Sequence, residues 1–513
     1  MTDSAFEANR SESLYATFQR RWEPAAPFLE TRGGGRWSYH DLDQVTAGLA
    51  KRMRALGLRR GDRLVCQLDR SPFALFLYLS ALRAGLTYVP VSPQLTDAEL
   101  QPLLSEVEPS LFVCRPQSEA SLSLLPATRS VRILTLDVDG SGSLADVPAN
   151  DIDPDVAVRS DDPAAIVFTS GTTGRPKGVV LPHGHLVAKA DALAQALGWR
   201  SSDKLLHTMP LYHAHGLFMT THCIMSAGAS MFMMPRFEAA EVVAALPLVT
   251  AFSGVPTMYS RMLAVPSLAA NARGVRLFVS ASAPLPAPVF KMFRDVAGHS
   301  IVECWGMSET MTNTAHTSGS RPGTVGKPIP TVEVRAMDQD GTVLPPGQPG
   351  QLEVRSPTRF SGYWRQADTV DLLRDGFFRT GDIGFIDADG YVTIVGRTSD
   401  VIITGGYNVH PKEIELALER RDDVSRAAVF GVPHPDYGEA ILAAVETSAR
   451  SFDPRQILSE MKQSLVGYKI PKALFAVDRL PVTELGKIQR SVLSERFRDH
   501  FSLPDRARDR RAP

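Results

Sequence analysis

Between Asp41 and Leu56 the apolar residues fall at helical spacing. Arg63–Leu68 then reads as a short strand, Phe73–Arg83 as a helix ending at Gly85, and Tyr88–Val91 as another short strand. Ala164–Phe168 is wholly apolar and runs straight into a loop rich in Gly and Thr. Helices alternating with short buried strands predict α/β layers around a partly parallel sheet. From about Gly323 the texture changes. Gly326, Pro328, Pro330, Gly341, Pro345, Pro346, Gly347 and Pro349 punctuate short strands such as Gln351–Arg355, the pattern of an antiparallel β subdomain. After Arg397 comes a compact α+β segment. The expected organisation is a large α/β N-terminal domain with an antiparallel β subdomain over 1–398, a small α+β C-terminal domain over 399–500, and a tail over 501–513. That tail holds four Arg and two Asp and is expected to be disordered.

One stretch departs from ordinary amphipathic patterning. Leu205 to Pro235 contains no Asp, Glu, Lys or Arg, yet it carries His207, His213, His215 and His222 and is broken by Pro210. A membrane helix needs about 20 predominantly apolar residues. This segment instead predicts a buried wall with no membrane span. The pair His213 and His215, with His222 and Cys223, has zinc-like spacing, but no carboxylate is evident to orient the rings, so a wall remains the reading.

Composition narrows the class. Lys+Arg 55 against Asp+Glu 56 gives a net charge of -1, so no basic excess points to a nucleic-acid partner. Four cysteines without a C-x-x-C spacing suggest neither a zinc ribbon nor a disulfide framework. Met1–Ser13 mixes Asp3, Glu7 and Arg10 and lacks an apolar core, so it does not read as a signal peptide, and the cytoplasm is the expected compartment. Gly140-x-Gly142 imitates part of a dinucleotide fingerprint but does not join a strand to a helix.

The most informative segment is Phe168-Thr169-Ser170-Gly171-Thr172-Thr173-Gly174-Arg175-Pro176-Lys177-Gly178. Glycines let backbone approach an anion, hydroxyls and amides donate to phosphate oxygens, and Lys177 adds a point charge. No G-K-[ST] follows, so it is not a Walker A loop. Further segments follow in order: Trp305-Gly306-Met307-Ser308-Glu309-Thr310, Thr380-Gly381-Asp382, Gly396-Arg397 with Thr404-Gly405-Gly406-Tyr407-Asn408, and Gly486-Lys487. With the phosphate loop, these five resemble the adenylate-forming enzymes: acyl- and aryl-CoA synthetases and the adenylation domains of peptide synthetases. The resemblance covers nearly the whole chain.

It implies ATP, Mg²⁺ and CoA as cofactors and a small carboxylic acid as substrate. Thr169, Ser170, Gly171, Thr172, Thr173, Gly174 and Lys177 would hold the phosphates, and Glu309 with Thr172 would ligate Mg²⁺. Ser308, where relatives usually have Thr, would reach the α-phosphate. Ser282-Ala283-Pro284 and Trp305 would form the adenine slot, and Asp382 with Arg397 would take the ribose. Lys487 would be the adenylation lysine, offsetting repulsion between the acid and the α-phosphate. The C-terminal domain would then turn, bringing Gly405, Gly406 and Tyr407 to the pantetheine. The hinge position, commonly Asp or Lys in relatives, is Ser399, followed by Asp400.

For the acid, the expected lining is Leu211–Leu217 with His213, also counted among the catalytic residues, the stretch Gly254–Arg261, and the neighbourhood of Met307 and Met311. Pro-Leu-Tyr-His-x-His-Gly-Leu and Gly-Val-Pro-Thr-x-Tyr-x-Arg are similar to malonyl-CoA synthetases, which implies that Arg261 holds a distal carboxylate of malonate or methylmalonate. Those relatives carry Arg where this chain has Cys304, and Tyr where it has Trp305. A short- or medium-chain monocarboxylate, or a free-standing adenylation enzyme loading an acyl carrier protein or an amine, stays open at this point.

Overall fold

The computed structural model describes residues 13–501, apart from 150, 170–176, 318–319, 367–372, 405–406, 435–436, 448–451, 464, 484–485 and the side chains of 399 and 408. The expected tail therefore lies almost wholly outside the described residues. The chain forms two compact units: Met1–Val334 with Val354–Phe378, and Arg335–Glu353 with Arg379–Pro513. The boundary expected after 398 falls inside the second of these.

The first unit holds two large sheets. In the six-stranded sheet the spatial order is Arg132–Thr135, Leu111–Cys114, Arg63–Gln67, Thr87–Pro90, Pro163–Thr169 and Lys177–Pro182. All neighbours are parallel except the last pair, which is antiparallel. The nine-stranded sheet runs Lys327–Pro328, Met311–Ala315, Ile301–Met307, Leu277–Ser280, Ala251–Gly254, Lys204–His207, Ser230–Met233, Pro27–Thr31 and Arg36–Ser38. Its central six strands are parallel and its flanks antiparallel. The α/β layers and the partly parallel sheet expected from the sequence are both present.

Local chemistry sets the helix starts. Ser38 and Asp41 form a reciprocal capping box at Tyr39–Ala55, and Ser71 caps Pro72–Arg83 with proline in its first turn. Pro72–Arg83 is buried on nearly every side, as its almost continuous apolar sequence requires. The charge-free stretch contains no membrane helix. It folds as the strand Lys204–His207, a π-helical turn His215–Thr220, the helix Thr221–Ala227 and the strand Ser230–Met233, nearly all of it buried. Among the described residues no helix is long and apolar enough to cross a membrane.

Antiparallel pairing follows in the region expected from the Gly/Pro texture. Leu373–Arg374 pairs with residues 377–378 in the first unit, and residues 382–386 pair with Val392–Arg397 in the second. Further along, Tyr407–Val409, Ile402–Thr404, Gly438–Thr447, Val424–His434 and Ala473–Val477 form a sheet buried on both faces. Alternation along Val424–His434 sends Val429 to one core with Ile414 and Leu474, and Ala428 and Phe430 to the other with Leu442 and Leu493. Both of these cores draw only on residues from Ile402 onward.

Asp203, Thr250 and Arg276 each precede one of three adjacent parallel strands. The buried Asp203 carboxylate accepts from Arg276 Nε at 2.7 Å, Thr250 Oγ1 at 2.9 Å and the Arg200 amide at 2.8 Å. Burial raises its pKa, but the Arg276, Arg200 and Thr250 hydrogen bonds outweigh that and hold it below the usual carboxylate range. In the unfolded chain the group protonates first as pH falls. Its contribution is therefore complete above about pH 4 and is lost as pH drops through the folded value. Asp203→Asn is expected to lower unfolding free energy by about 2 kcal/mol at pH 7 and to flatten the acid limb. Urea unfolding between pH 3 and 7 checks both, and an unchanged acid limb would remove Asp203 from this role.

Candidate active site

Four segments with candidate chemistry begin where adjacent parallel strands of the nine-stranded sheet end. Lys204–His207 leads to the Leu211–Leu217 wall, Ala251–Gly254 to the Gly254–Arg261 stretch, Leu277–Ser280 to Ser282-Ala283-Pro284, and Ile301–Met307 to Ser308-Glu309-Thr310. Ligands of open parallel sheets bind outside the carboxyl ends of the strands, because loops and helix starts converge there.

His215 ties three of these segments together, with Nδ1 3.1 Å from Ser282 Oγ and Nε2 2.9 Å from Ser253 Oγ. A neutral imidazole meets this pair with one donor and one acceptor. Burial, then the neighbouring His213 and His207 rings, push His215 down to about 3, and burial pushes His213 to about 4, so both rings are uncharged at neutral pH. The four histidines do not converge. His207 Nε2 lies 3.1 Å from the Gly216 carbonyl and His222 Nε2 lies 2.9 Å from Tyr78 Oη, and no metal-holding cluster is found among the described residues. Gly216 lets the wall fold back on itself, because a Cβ there would overlap the Pro210 carbonyl oxygen. His213 is half-buried, its carbonyl accepting from the Leu217 amide at 2.9 Å.

Thr169 and Lys177 pair across an antiparallel ladder, with Thr169 Oγ1 3.5 Å from the Lys177 carbonyl oxygen. Ser170, Gly171, Thr172, Thr173 and Gly174 lie outside the described residues. A segment that sequence reasoning misses runs alongside. The Trp364 amide donates to the Gly178 carbonyl at 2.7 Å and the Val180 amide to that of Gly362 at 3.0 Å. This places the Tyr363 ring 5.1 Å from Lys177 Nζ. The Tyr363 hydroxyl donates to Glu309 Oε1 at 2.8 Å, so one side chain joins the phosphate-loop lysine to the expected metal ligand. Burial, then Glu309, raise the tyrosine's pKa, and it stays a donor. The Tyr363-Trp364 pair after Gly362 is the only trace of this contact in the sequence.

Ile301–Met307 and Met311–Ala315 pair antiparallel with a bulge at Trp305/Gly306. At Gly306 a Cβ would overlap the Met311 carbonyl oxygen, and Met311 itself takes a left-handed φ of 54°. The tight turn presents Met307, Ser308 and Glu309. Trp305 is buried within its strand. Ser282 is exposed at a left-handed φ of 72°, beside the half-buried Ala283 and the exposed Pro284. Arg261 is exposed on the helix Pro256–Met262, which is pinned by the Tyr259 hydroxyl donating to the Val279 carbonyl at 2.6 Å. Cys304 is buried, and burial pushes its thiol far above the ordinary value, so it carries no charge.

In the second unit the buried Asp382 stands opposite Arg397 and accepts from its Nε at 2.8 Å. Lys487 lies in this neighbourhood. Its loop turns through Gly486 at φ 74°, with Thr483 and Lys487 exchanging backbone and hydroxyl hydrogen bonds. The side chain keeps solvent access, but desolvation of its ammonium and then the Arg397 charge lower its pKa, while Asp400 and Asp382 oppose the shift. Asp382, Arg397 and Lys487 are thus brought together. Tyr407 is exposed and stacks on Tyr468 at 4.3 Å, while Gly405 and Gly406 lie outside the described residues.

Comparison with known proteins agrees over most of the length. Residues 18–364 match the AMP-binding enzyme family, and 413–487 match the AMP-binding enzyme C-terminal domain. A feruloyl-CoA synthase from Amycolatopsis is 33% identical over 499 residues, covering 95% of this chain and 99% of its own. A malonate–CoA ligase from Arabidopsis thaliana is 31% identical over 488 residues, covering 87% and 79%. The crystal structure of ATP-bound MatB from Rhodopseudomonas palustris superposes with a TM-score of 0.92 at 38% identity, covering 95% and 99%. Agreement of sequence and fold along nearly the full chain establishes that it belongs to the AMP-binding enzyme family, as an AMP-forming acyl-CoA ligase.

Proposed function

We propose that the acid is a short dicarboxylate such as malonate or methylmalonate, with CoA as acceptor. The observation that carries this reading is a largely buried wall without charge, Leu205–Pro235, together with the helix Pro256–Met262, which follows the neighbouring strand Ala251–Gly254 and carries Arg261. A second carboxylate entering such a wall without a cation would be strongly disfavoured. Similarity to a malonate–CoA ligase supports the same choice. A monocarboxylate is the second reading, favoured by the uncharged Cys304 beside Trp305.

In the first half-reaction a carboxylate oxygen of the acid bonds to the α-phosphorus of ATP and pyrophosphate leaves. Thr169, Lys177 and the 170–174 loop cradle the phosphates, Ser308 reaches the α-phosphate, and Trp305 with Ser282-Ala283-Pro284 receives the adenine. Arg397 orients the Asp382 carboxylate for the ribose hydroxyls. Lys487 would be the adenylation lysine, its ammonium offsetting the repulsion between acid and α-phosphate. Glu309, buried and oriented by Tyr363, is the hard oxygen donor that Mg²⁺ takes, with Thr172 as its partner. Bound Mg²⁺ would neutralise phosphate charge. In the second half-reaction the thiol sulfur of CoA bonds to the acyl carbon and AMP leaves. Gly405, Gly406 and Tyr407 would line the path of the thiol, and the turn Thr398–Asp400 would be the hinge that presents them. His213, uncharged, shapes the acid pocket without supplying a proton.

Lys487→Ala is expected to slow adenylation by roughly a hundredfold to a thousandfold while leaving the reaction of synthetic acyl-adenylate with CoA nearly intact. Pyrophosphate exchange and thioester formation, assayed separately, check this, and equal loss in both would misplace the lysine.

Tyr363→Phe is expected to raise the Mg²⁺ concentration for half-maximal adenylation by roughly three- to tenfold, the net worth of about one ordinary hydrogen bond. A Mg²⁺ titration that overlays the wild type would make Tyr363 a packing residue.

The acid is tested by kcat/KM across malonate, methylmalonate, acetate, butyrate, octanoate and benzoate. Malonate is expected to lead, and Arg261→Leu to lose at least about tenfold on malonate, roughly 1.4 kcal/mol, with little change on butyrate. A wild type that prefers butyrate would overturn the dicarboxylate reading.

A further inference from the structure

The helix His183–Leu197 carries a lysine in an unexpected place. Lys189 is 4% exposed, and its Nζ has no hydrogen-bond partner and no carboxylate neighbour among the described residues. It lines a small cavity together with Leu193 of its own helix, Phe218, Met219 and His222 of the charge-free stretch, and Met311 and Thr312 of the strand behind the Glu309 turn. The cavity therefore lies between the helix and two segments assigned to the acyl wall.

An ammonium buried without a counter-charge is costly. Burial alone lowers Lys189 to about 7. The nearby polar groups do not compensate. His222 is held uncharged by burial, as is His185, whose pKa is lowered further by the Lys189 charge. An incoming anion would supply the missing partner and gain a charge-assisted hydrogen bond in a site closed to water. Arg261, exposed on its helix, has no comparable deficit to satisfy.

We infer that Lys189 is a further specificity-determining cation of the acyl site, in addition to Arg261, and that it receives the acidic group at the far end of the substrate. This rests on the dicarboxylate reading and deepens it. The ligand class is a short acid with a second anionic group, carboxylate or sulfonate, opposite the reacting carboxylate. Met219 and Met311 suit a wall that must yield to admit such a group, since unbranched thioether side chains repack readily.

The test is Lys189→Met, which keeps volume and removes charge, alongside Lys189→Arg, which keeps charge. Both are assayed on malonate and butyrate, with thermal unfolding in the presence and absence of malonate. The expected result is a loss of at least about tenfold in kcat/KM on malonate for Lys189→Met and less than about twofold on butyrate. Partial recovery is expected in Lys189→Arg. Stability should be unchanged or raised in Lys189→Met, with the malonate-induced rise in Tm lost. A wild type that prefers malonate, with the preference and the Tm shift intact in Lys189→Met, would overturn the role of Lys189 and leave the dicarboxylate reading standing. A wild type that prefers butyrate would overturn both.

Discussion

Six parallel strands that begin in line constrain the candidate site in the first unit. Their amino ends are held in line where Asp203 gathers Arg276 and Thr250, one residue ahead of three neighbouring strands. Fixing the amino ends fixes the opposite edge, because five of the six strands are only four or five residues long. Loops from distant parts of the sequence then emerge side by side, and His215 can reach Ser253 and Ser282 at once. The chemistry depends on this alignment more than on any single loop.

A second constraint acts on polarity. The stretch Leu205–Pro235 excludes charge in its sequence and keeps its imidazoles neutral by burial. Charge comes from other segments of the same unit: Lys177, Glu309 and Lys189. Glu309 and Lys189 are buried, in a medium of low polarity where a charge counts for most.

Much of the fold is legible in the amino-acid sequence alone. Tyr39–Ala55, Pro72–Arg83 and Pro163–Thr169 fall within a residue or two of their expected ends, because amphipathic spacing, caps and an apolar run are local signals. The change of texture near Gly323 announces antiparallel pairing for the same reason. The motif residues are legible because glycine, hydroxyl and charge cluster there. What escapes is non-local. Tyr363 matters through a ladder joining it to residues 178–180, and no spacing in its own neighbourhood reveals that. Lys189 sits in an ordinary helical pattern, where a lysine reads as solvated, and only packing shows it inside. The π-helical turn at His215–Thr220 reads only as wall, since its register is set by the close approach at Gly216.

The ring of Tyr363 is shared between a cation and a carboxylate, and sharing makes the two inseparable. A ligand that draws Lys177 away from the face alters the polarisation of the phenol, and through its hydroxyl the strength with which Glu309 is held. The reverse holds with the same free energy, as linkage requires. Nucleotide and divalent cation are thus coupled through one aromatic side chain in addition to their direct charge attraction, so the affinity for either has meaning only at a stated concentration of the other.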